Sequence, residues 1–499
     1  MTANVNPKDA SAARDGAPQY GTGGRAPDEI TALLAGAADP EHRLAVHQEL
    51  YPEVINLATA ENVLVYPSLR ENVFDRLGVL EQRDVTYAPS YGSPEIRADI
   101  AAMLRPTLSP TLTGDDIFGT SGVSAALECL AFALREGGVL RGGDQVLLPA
   151  PYWQGFNWSF EQRPELRCVP VHLRELGEEH FDLTLEDIQH VYRTQPEPPK
   201  LLVLTNPNNP LGDNYGKDLL ESIYRWVLNE TGMHIISDEM YAHSQLTGAG
   251  PEFVSALELA AYRNNPEARD RVHVVWGFAK DFGMSGFKAG VVISRSPVVR
   301  QAMRGIKDKQ NSYSWFSPFD SLKHFVIGKM LKTTSGGESY PLALMKQYRG
   351  WLTTAFQETR AALDNGRLPY RYREGQNAAQ FFWLDLRAYL PPRGTAVIPP
   401  EIGPHFPRPD RVPEPFAADA EKRGTAALPI LFPNISSEEE WLRWYIATYA
   451  QVQLLPGQLL SCAEPGYFRL CYTAVDTAEV VASVQRVADL LAPWSNGAR

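Results

Sequence analysis

Between about Asp116 and Ser294 the chain alternates short apolar runs with amphipathic stretches. The runs read QVLLPA, LRCVPVHL, KLLVLTN, MHIISDE, VHVVWGF and AGVVIS, rich in Val, Ile and Leu with little polar alternation. A strand with one wet face alternates apolar and polar residues, whereas a strand covered on both faces does not. Helical patterns such as SAALECLAFALREG and KDLLESIYRWVLNE lie between several of the runs. This order predicts an α/β architecture, a mostly parallel sheet sheathed by helices. Ligands in such sheets bind beyond the carboxyl ends of the strands, so the polar residues that close each run are the ones to inspect.

From about Tyr340 the period changes to that of one long helix, PLALMKQYRGWLTTAFQETRAALDNG, which leads into a second, smaller α+β domain. QFFWLDL, AQVQLLPG and YFRLCYT read as its strands, and EVVASVQRVADLLAPW as a closing helix. Between them the prolines of YLPPRGTAVIPPEIGPHFPRPDRVPEPF exclude a regular helix or central strand, giving an insertion over about 389–435. The boundaries expected are a disordered tail over 1–30, an N-terminal segment of the small domain over 31–75, a large domain over 76–335 and a small one over 336–499. The 499 residues, 44% hydrophobic, suffice for such units.

Charge and cysteines narrow the chemistry. A formal net charge of −12 argues against a nucleic-acid surface but leaves room for an anionic small ligand. Cys129, Cys168, Cys462 and Cys471 form no CxxC pair, so no metal or redox site is expected and a reducing, cytoplasmic setting is. No apolar run approaches the ~20 residues that span a bilayer, and the N-terminus lacks a signal-peptide core.

The strand ends carry a coherent set. GTSGVSAALE puts Gly122, Val123 and Ser124 at a helix start, where free N–H groups favour phosphate. LLPAPYWQGF offers Trp153, LTNPNNPLG offers Asn209, ISDEMY offers Asp238 and Tyr241, and WGFAKD offers Lys280. Together they suit pyridoxal 5′-phosphate (PLP). That cofactor needs an amine for its aldehyde, an acid for its pyridine nitrogen, donors for its ring hydroxyl, an aromatic cover and a phosphate cup.

With these motifs the chain resembles the fold-type I PLP enzymes of the class I/II aminotransferase superfamily, from about Val54 to the C-terminus apart from the proline-rich insertion. The resemblance implies a large domain on a mostly parallel seven-stranded sheet plus a smaller α+β domain. It implies that Lys280 is the Schiff-base lysine, Asp238 the pyridinium partner, Tyr241 and Asn209 the ligands of the ring oxygen, and Trp153 the stacked aromatic. Val123 and Ser124 bind the phosphate. Arg469, in CAEPGYFRLCY, clamps the substrate carboxylate as a bidentate guanidinium can. In TYAPSYGSPEIR, Tyr87 matches a tyrosine that reaches the phosphate of a neighbouring subunit, which implies a homodimer, and Tyr91 falls to the substrate. The family often has hydroxyls where Gly277 and Ala279 stand, and an arginine where Lys288 stands. Phosphate binding here is therefore weakened or shifted to other groups, with Lys288 as a point charge.

The segment INLATAENVLVYPSL is similar to the GLAEN stretch of 1-aminocyclopropane-1-carboxylate (ACC) synthases, with Glu61 and Asn62 matching. Those enzymes act on S-adenosylmethionine (SAM), with a glutamate near the sulfonium. The implied reaction is Cα deprotonation by Lys280 and loss of methylthioadenosine. ACC synthases carry tyrosine at Trp153, which puts ring closure in doubt. A related bacterial enzyme of altemicidin biosynthesis instead spends a vinylglycine-type quinonoid on a (3+2) annulation with the nicotinamide ring of NAD. Carbon–carbon bond formation of that kind is the favoured expectation. ACC synthesis and ordinary amino transfer stand as alternatives. A PLP-binding regulator lacks a DNA-binding segment in the short polar tail.

Overall fold

The computed structural model describes residues 54–172, 181–248, 252–305, 313–391 and 436–495. The expected tail over 1–30 and nearly all of the proline-rich insertion lie outside the described residues, as do residues 31–53.

A short strand β1 (Ile55–Asn56) precedes the main sheet. That sheet is built from β2 (Ile117–Thr120), β3 (Gln145–Pro149), β4 (Arg167–Val171), β5 (Leu201–Thr205), β6 (His234–Asp238), β7 (Val272–Gly277) and β8 (Gly290–Ser294). Its spatial order is β2-β8-β7-β6-β5-β3-β4, with β8 antiparallel to both neighbours and every other pairing parallel. Successive residues of the strands feed opposite faces. Leu147, Leu202, Leu204 and Ile235 enter one apolar cluster, and Val146, Leu148, Leu201, Val203 and Ile236 another. Both faces are covered, which is why the runs show no alternation.

Helix α1 (Val123–Glu136) follows β2 and buries Val123, Ala126, Leu127, Leu130, Ala131 and Leu134, the 3–4 spacing of one face. Helix α2 (Lys217–Glu230) lies between β5 and β6. After a hairpin of β9 (Thr334–Ser335) and β10 (Glu338–Ser339), α3 (Tyr340–Asn365) runs as the predicted long helix. It leads to the smaller α+β part, where β11 (Phe381–Asp385), β13 (Leu455–Pro456) and β14 (Tyr467–Cys471) form an antiparallel sheet in the order β11-β14-β13. Strand β12 (Val452–Gln453) pairs in parallel with β1, Ile55 against Val452. Helix α4 (Ser437–Tyr445) continues into a π-helical turn over Ile446–Ala450, and α5 (Thr477–Ser495) closes the chain.

Candidate active site

Because β2, β5, β6 and β7 run the same way, their carboxyl ends share one edge of the sheet. Thr205 ends β5, Asp238 ends β6 beside it in register, and Gly277 ends β7 three residues before Lys280. The end of β2 enters α1 through Gly122, whose φ of +92° is a left-handed conformation that glycine adopts at no steric cost.

Lys280 is half-buried and its Nζ donates to the carbonyl of Ala60 at 2.6 Å. Its own carbonyl accepts from Asn62 Nδ2 at 2.8 Å and Gln380 Nε2 at 3.0 Å. Asn62 is buried and also reaches the carbonyl of Asp281 at 3.3 Å, so its amide grips the lysine's backbone. Asp238 is buried, and that burial pushes its carboxyl up to about 7. The Met240 N–H, at 3.2 Å from Oδ1, the Thr205 hydroxyl and the Lys280 charge all act the other way. The lysine charge thus acts on the acid across the strand ends. Burial also raises the Tyr241 phenol, opposed by the Arg469 guanidinium, and its ring meets Phe381 edge-on at 5.2 Å.

Arg469, in the middle of β14, pairs with Trp383 of β11 on one side and Leu455 of β13 on the other. Its Nη1 donates to Asn209 Oδ1 at 2.7 Å, its Nη2 to the carbonyl of Ala58 at 2.5 Å, and its guanidinium lies 4.5 Å from the Phe381 ring centroid. Both Asn–Pro bonds of the loop after β5 are cis. Arg469, Asn209, Tyr241, Asp238 and Lys280 therefore form one connected group of buried and half-buried side chains.

At the start of α1, Val123 is buried and Ser124 exposed. This helix end sits directly on β8: a Cβ on Gly290 would stand 2.7 Å from the Gly122 carbonyl carbon. Lys288 is exposed, with φ of +50°, and its backbone packs against Gly122. Gly277 opens no space: a Cβ there would lie 2.9 Å from the Ala289 oxygen and 3.1 Å from Val123 Cγ2. A hydroxyl-bearing side chain at this position would have to displace one of these neighbours.

The remaining candidates occupy four places. Glu61 Oε2 accepts from Ser285 Oγ at 2.5 Å, which joins its segment to the loop after Lys280. Trp153 folds back over Gly155, where any Cβ would strike the indole, and meets Phe156 edge-on at 5.5 Å. Tyr91 lies beside Phe118 of β2 with the Arg97 guanidinium 5.2 Å from its ring. Tyr87 is 98% exposed and stacks only loosely on Trp315, ring centroids 6.4 Å apart. The structure thus gathers the lysine, acid, phenol, amide and guanidinium, and leaves Tyr87 and Lys288 on the surface.

Residues 52–487 match the model of a family described as aminotransferase class I and II. The chain belongs to that family. Among its relatives, ACC synthase 6 of Arabidopsis thaliana is 27% identical over 448 residues, 87% of this chain and 77% of that protein. ACC synthase 3 of Oryza sativa subsp. japonica is 25% identical over 464 residues, 88% of each chain. Solved structures share the fold. Aspartate aminotransferase from Thermus thermophilus with maleate superposes with a TM-score of 0.61 at 21% identity, covering 94% of this chain and 100% of that one. Aromatic aminotransferase from Pyrococcus horikoshii gives 0.61 at 18%, covering 88% and 96%.

The family's cofactor is PLP, and the site fits it. A buried carboxyl held by Thr205 and Met240, a lysine amine whose charge acts on it and a glycine-based helix start are what the pyridine nitrogen, aldehyde and phosphate require. Among the described residues no cluster of His, Cys, Asp or Glu could hold a metal, and no helix is long and apolar enough to cross a membrane. Four contributors escaped the sequence reading: Thr205, Ser285, Gln380 and Asp281. Asp281 alone carried a local signal, a second acid-bearing position directly after the lysine.

Proposed function

We propose that this class I/II aminotransferase-family enzyme acts on SAM, removes its Cα proton, expels methylthioadenosine and directs the remaining fragment into a carbon–carbon bond with a co-substrate such as the nicotinamide ring of NAD. PLP supplies the electron sink for the Cα carbanion. Arg469 holds the substrate carboxylate through two parallel N–H groups. Lys280 takes the Cα proton, since an amine held beside the reacting carbon serves as general base. Asp238 keeps the cofactor nitrogen charged, with Tyr241 and Asn209 at the ring oxygen, Trp153 over the ring face and Val123 and Ser124 at the phosphate. Lys288 adds a positive charge near that phosphate, and Tyr91 borders the substrate. Tyr87 reaches across a homodimer to its partner's site.

The observation that carries the SAM reading is the seat of Glu61. Its neighbour Ala60 touches the Lys280 amine at 2.6 Å, and its own carboxylate is anchored by Ser285 in the loop that follows the lysine. A fixed anion one residue from the catalytic amine suits a cationic sulfonium. The names of the relatives support the same substrate and favour ACC formation as the second reading. Trp153 speaks for annulation over ring closure, because its indole offers no phenolic hydroxyl.

Mass spectrometry of products formed from SAM with and without NAD tests this. Methylthioadenosine in both reactions, and a nicotinamide-containing adduct only with NAD, is the expected result. ACC as sole amino-acid product selects the second reading. Amino transfer to a keto acid with no methylthioadenosine in either reaction refutes the SAM assignment.

A further inference from the structure

We propose that Asp281 is a positioning residue: through Ser244, Tyr348 and Gln380 its carboxylate fixes the backbone of Lys280, and so sets where the lysine amine stands relative to Asp238. The inference rests on Lys280 being the lysine that holds the cofactor.

Asp281 is fully buried. Its Oδ2 accepts from two groups that can only donate, Trp276 Nε1 at 3.1 Å and the His243 N–H at 3.2 Å. Its Oδ1 receives the Ser244 hydroxyl at 2.7 Å. Ser244 Oγ has a single proton. Once that proton goes to Asp281, the 2.9 Å contact with Tyr348 makes the tyrosine hydroxyl the donor and the serine oxygen the acceptor. Gln380 Nε2 in turn donates one proton to the tyrosine oxygen at 2.9 Å, with Ser244 Oγ at 3.3 Å as a second, longer acceptor, and the other proton of that amide points to the Lys280 carbonyl at 3.0 Å. The relay has one polarity, and the carboxylate at its end dictates it. Reversing that polarity would turn the Tyr348 proton toward Gln380 and disturb the donor that holds the lysine backbone.

The relay also spans the molecule. Ser244 follows β6, Asp281 follows β7, Tyr348 lies in α3 and Gln380 precedes β11, so both sheets meet at the carbonyl of Lys280. Asn62 closes the other side of that carbonyl. Gly283 completes the turn with φ of +61°, and a Cβ there would stand 2.2 Å from the Asn62 oxygen, so the loop has one packed path. The relay consumes polar groups that neither the cofactor assignment nor the substrate assignment uses.

The test compares wild type, Asp281→Asn and Tyr348→Phe, each titrated with PLP near pH 8, above the value of about 7 to which burial raises Asp281. The readouts are the absorption bands of bound cofactor, the yield of borohydride-reduced adduct at Lys280 by peptide mass, and far-ultraviolet circular dichroism. The amide of Asp281→Asn can turn its N–H toward Ser244 and reverse the relay. The expected result is a wild-type dichroism spectrum, an altered ratio of the cofactor bands and about a tenfold lower yield of adduct, the scale of one lost hydrogen bond to a charged group. Tyr348→Phe keeps the ring and loses the hydroxyl, and should shift the same readouts in the same direction. If Asp281→Asn does not fold, Tyr348→Phe decides alone. Folded variants with wild-type bands and wild-type yield overturn the relay while leaving the cofactor lysine in place. A wild type with no adduct at Lys280 overturns the reading beneath it.

Discussion

Restoring at Gly277 the hydroxyl that relatives often carry looks, from sequence, like a way to strengthen phosphate binding. The structure predicts the opposite for Gly277→Ser. The added Cβ would stand 2.9 Å from the Ala289 oxygen, 3.1 Å from Val123 Cγ2 and 3.3 Å from Gly290 Cα. Two of these neighbours are backbone of the adjoining strand region, and the Ala289 oxygen already accepts from the Phe278 N–H at 3.0 Å. Neither can retreat without loosening the β7–β8 ladder or tilting the start of α1. Overpacking of this kind costs about 1–3 kcal/mol. With an unfolding entropy of about 2.1 cal/mol/K per residue over a cooperative unit of roughly 250 residues, that lowers the melting temperature by about 2–6 °C. Differential scanning calorimetry of the PLP-free protein measures it, and absorbance titration gives the PLP dissociation constant, which should rise because Val123 sits on the displaced helix start. A Gly277→Ser protein that melts unchanged and binds PLP more tightly would refute the packing argument.

Three other outcomes follow from the site. Arg469→Lys retains charge but loses the fork that reaches both Asn209 and Ala58, so KM for the amino-acid substrate should rise roughly 10- to 100-fold with a smaller change in kcat, as steady-state kinetics will show. Burial raises Asp238 from 3.8 to about 7, so in the PLP-free protein the folded state resists an ionisation that the unfolded chain undergoes freely. Its contribution is fully present below about pH 4 and is lost as pH rises through about 7; melting curves across this window should therefore flatten for Asp238→Asn, and an unchanged slope would count against the burial. Tyr87 is 98% exposed beside Trp315 at 57% and Phe316 at 75%, so Trp315→Asp with Phe316→Asp should convert the proposed dimer to monomer in sedimentation velocity.

The strands β3 to β8 were legible because burial on both faces leaves uninterrupted Val, Ile and Leu. Strand β2, IFGT, offered too few branched apolar residues to stand out, and β1 and β12 are two residues each. Helix α4 and its π-helical turn went unread although SSEEEWLRWYIATYA opens on the capping Ser436 and has an acidic first turn, since the proline-rich stretch before it drew the boundary. At the site, the residue types closing each strand were legible one at a time. Their partners were not. Arg469 on Asn209, Ser285 on Glu61 and Gln380 on Lys280 join positions far apart in the chain, and no local period encodes such meetings. Gly277 shows the same limit from the other side: the sequence shows only an absent hydroxyl, whereas the fold sets the Ala289 oxygen and Val123 where its side chain would stand.

The pairing of β1 with β12 has a bearing on biosynthesis. Ile55 leaves the ribosome early and its partner Val452 emerges only when most of the chain has been made. At about 5–20 residues per second, roughly 20–80 s separate the two. For that interval the segment leading to Ala58, Ala60, Glu61 and Asn62 lacks its strand partner, and the arginine's anchor on the Ala58 carbonyl cannot form. Completion of the pocket thus waits on the late strand pair, and a nascent chain stalled before residue 452 lacks the Arg469 guanidinium assigned to the substrate carboxylate.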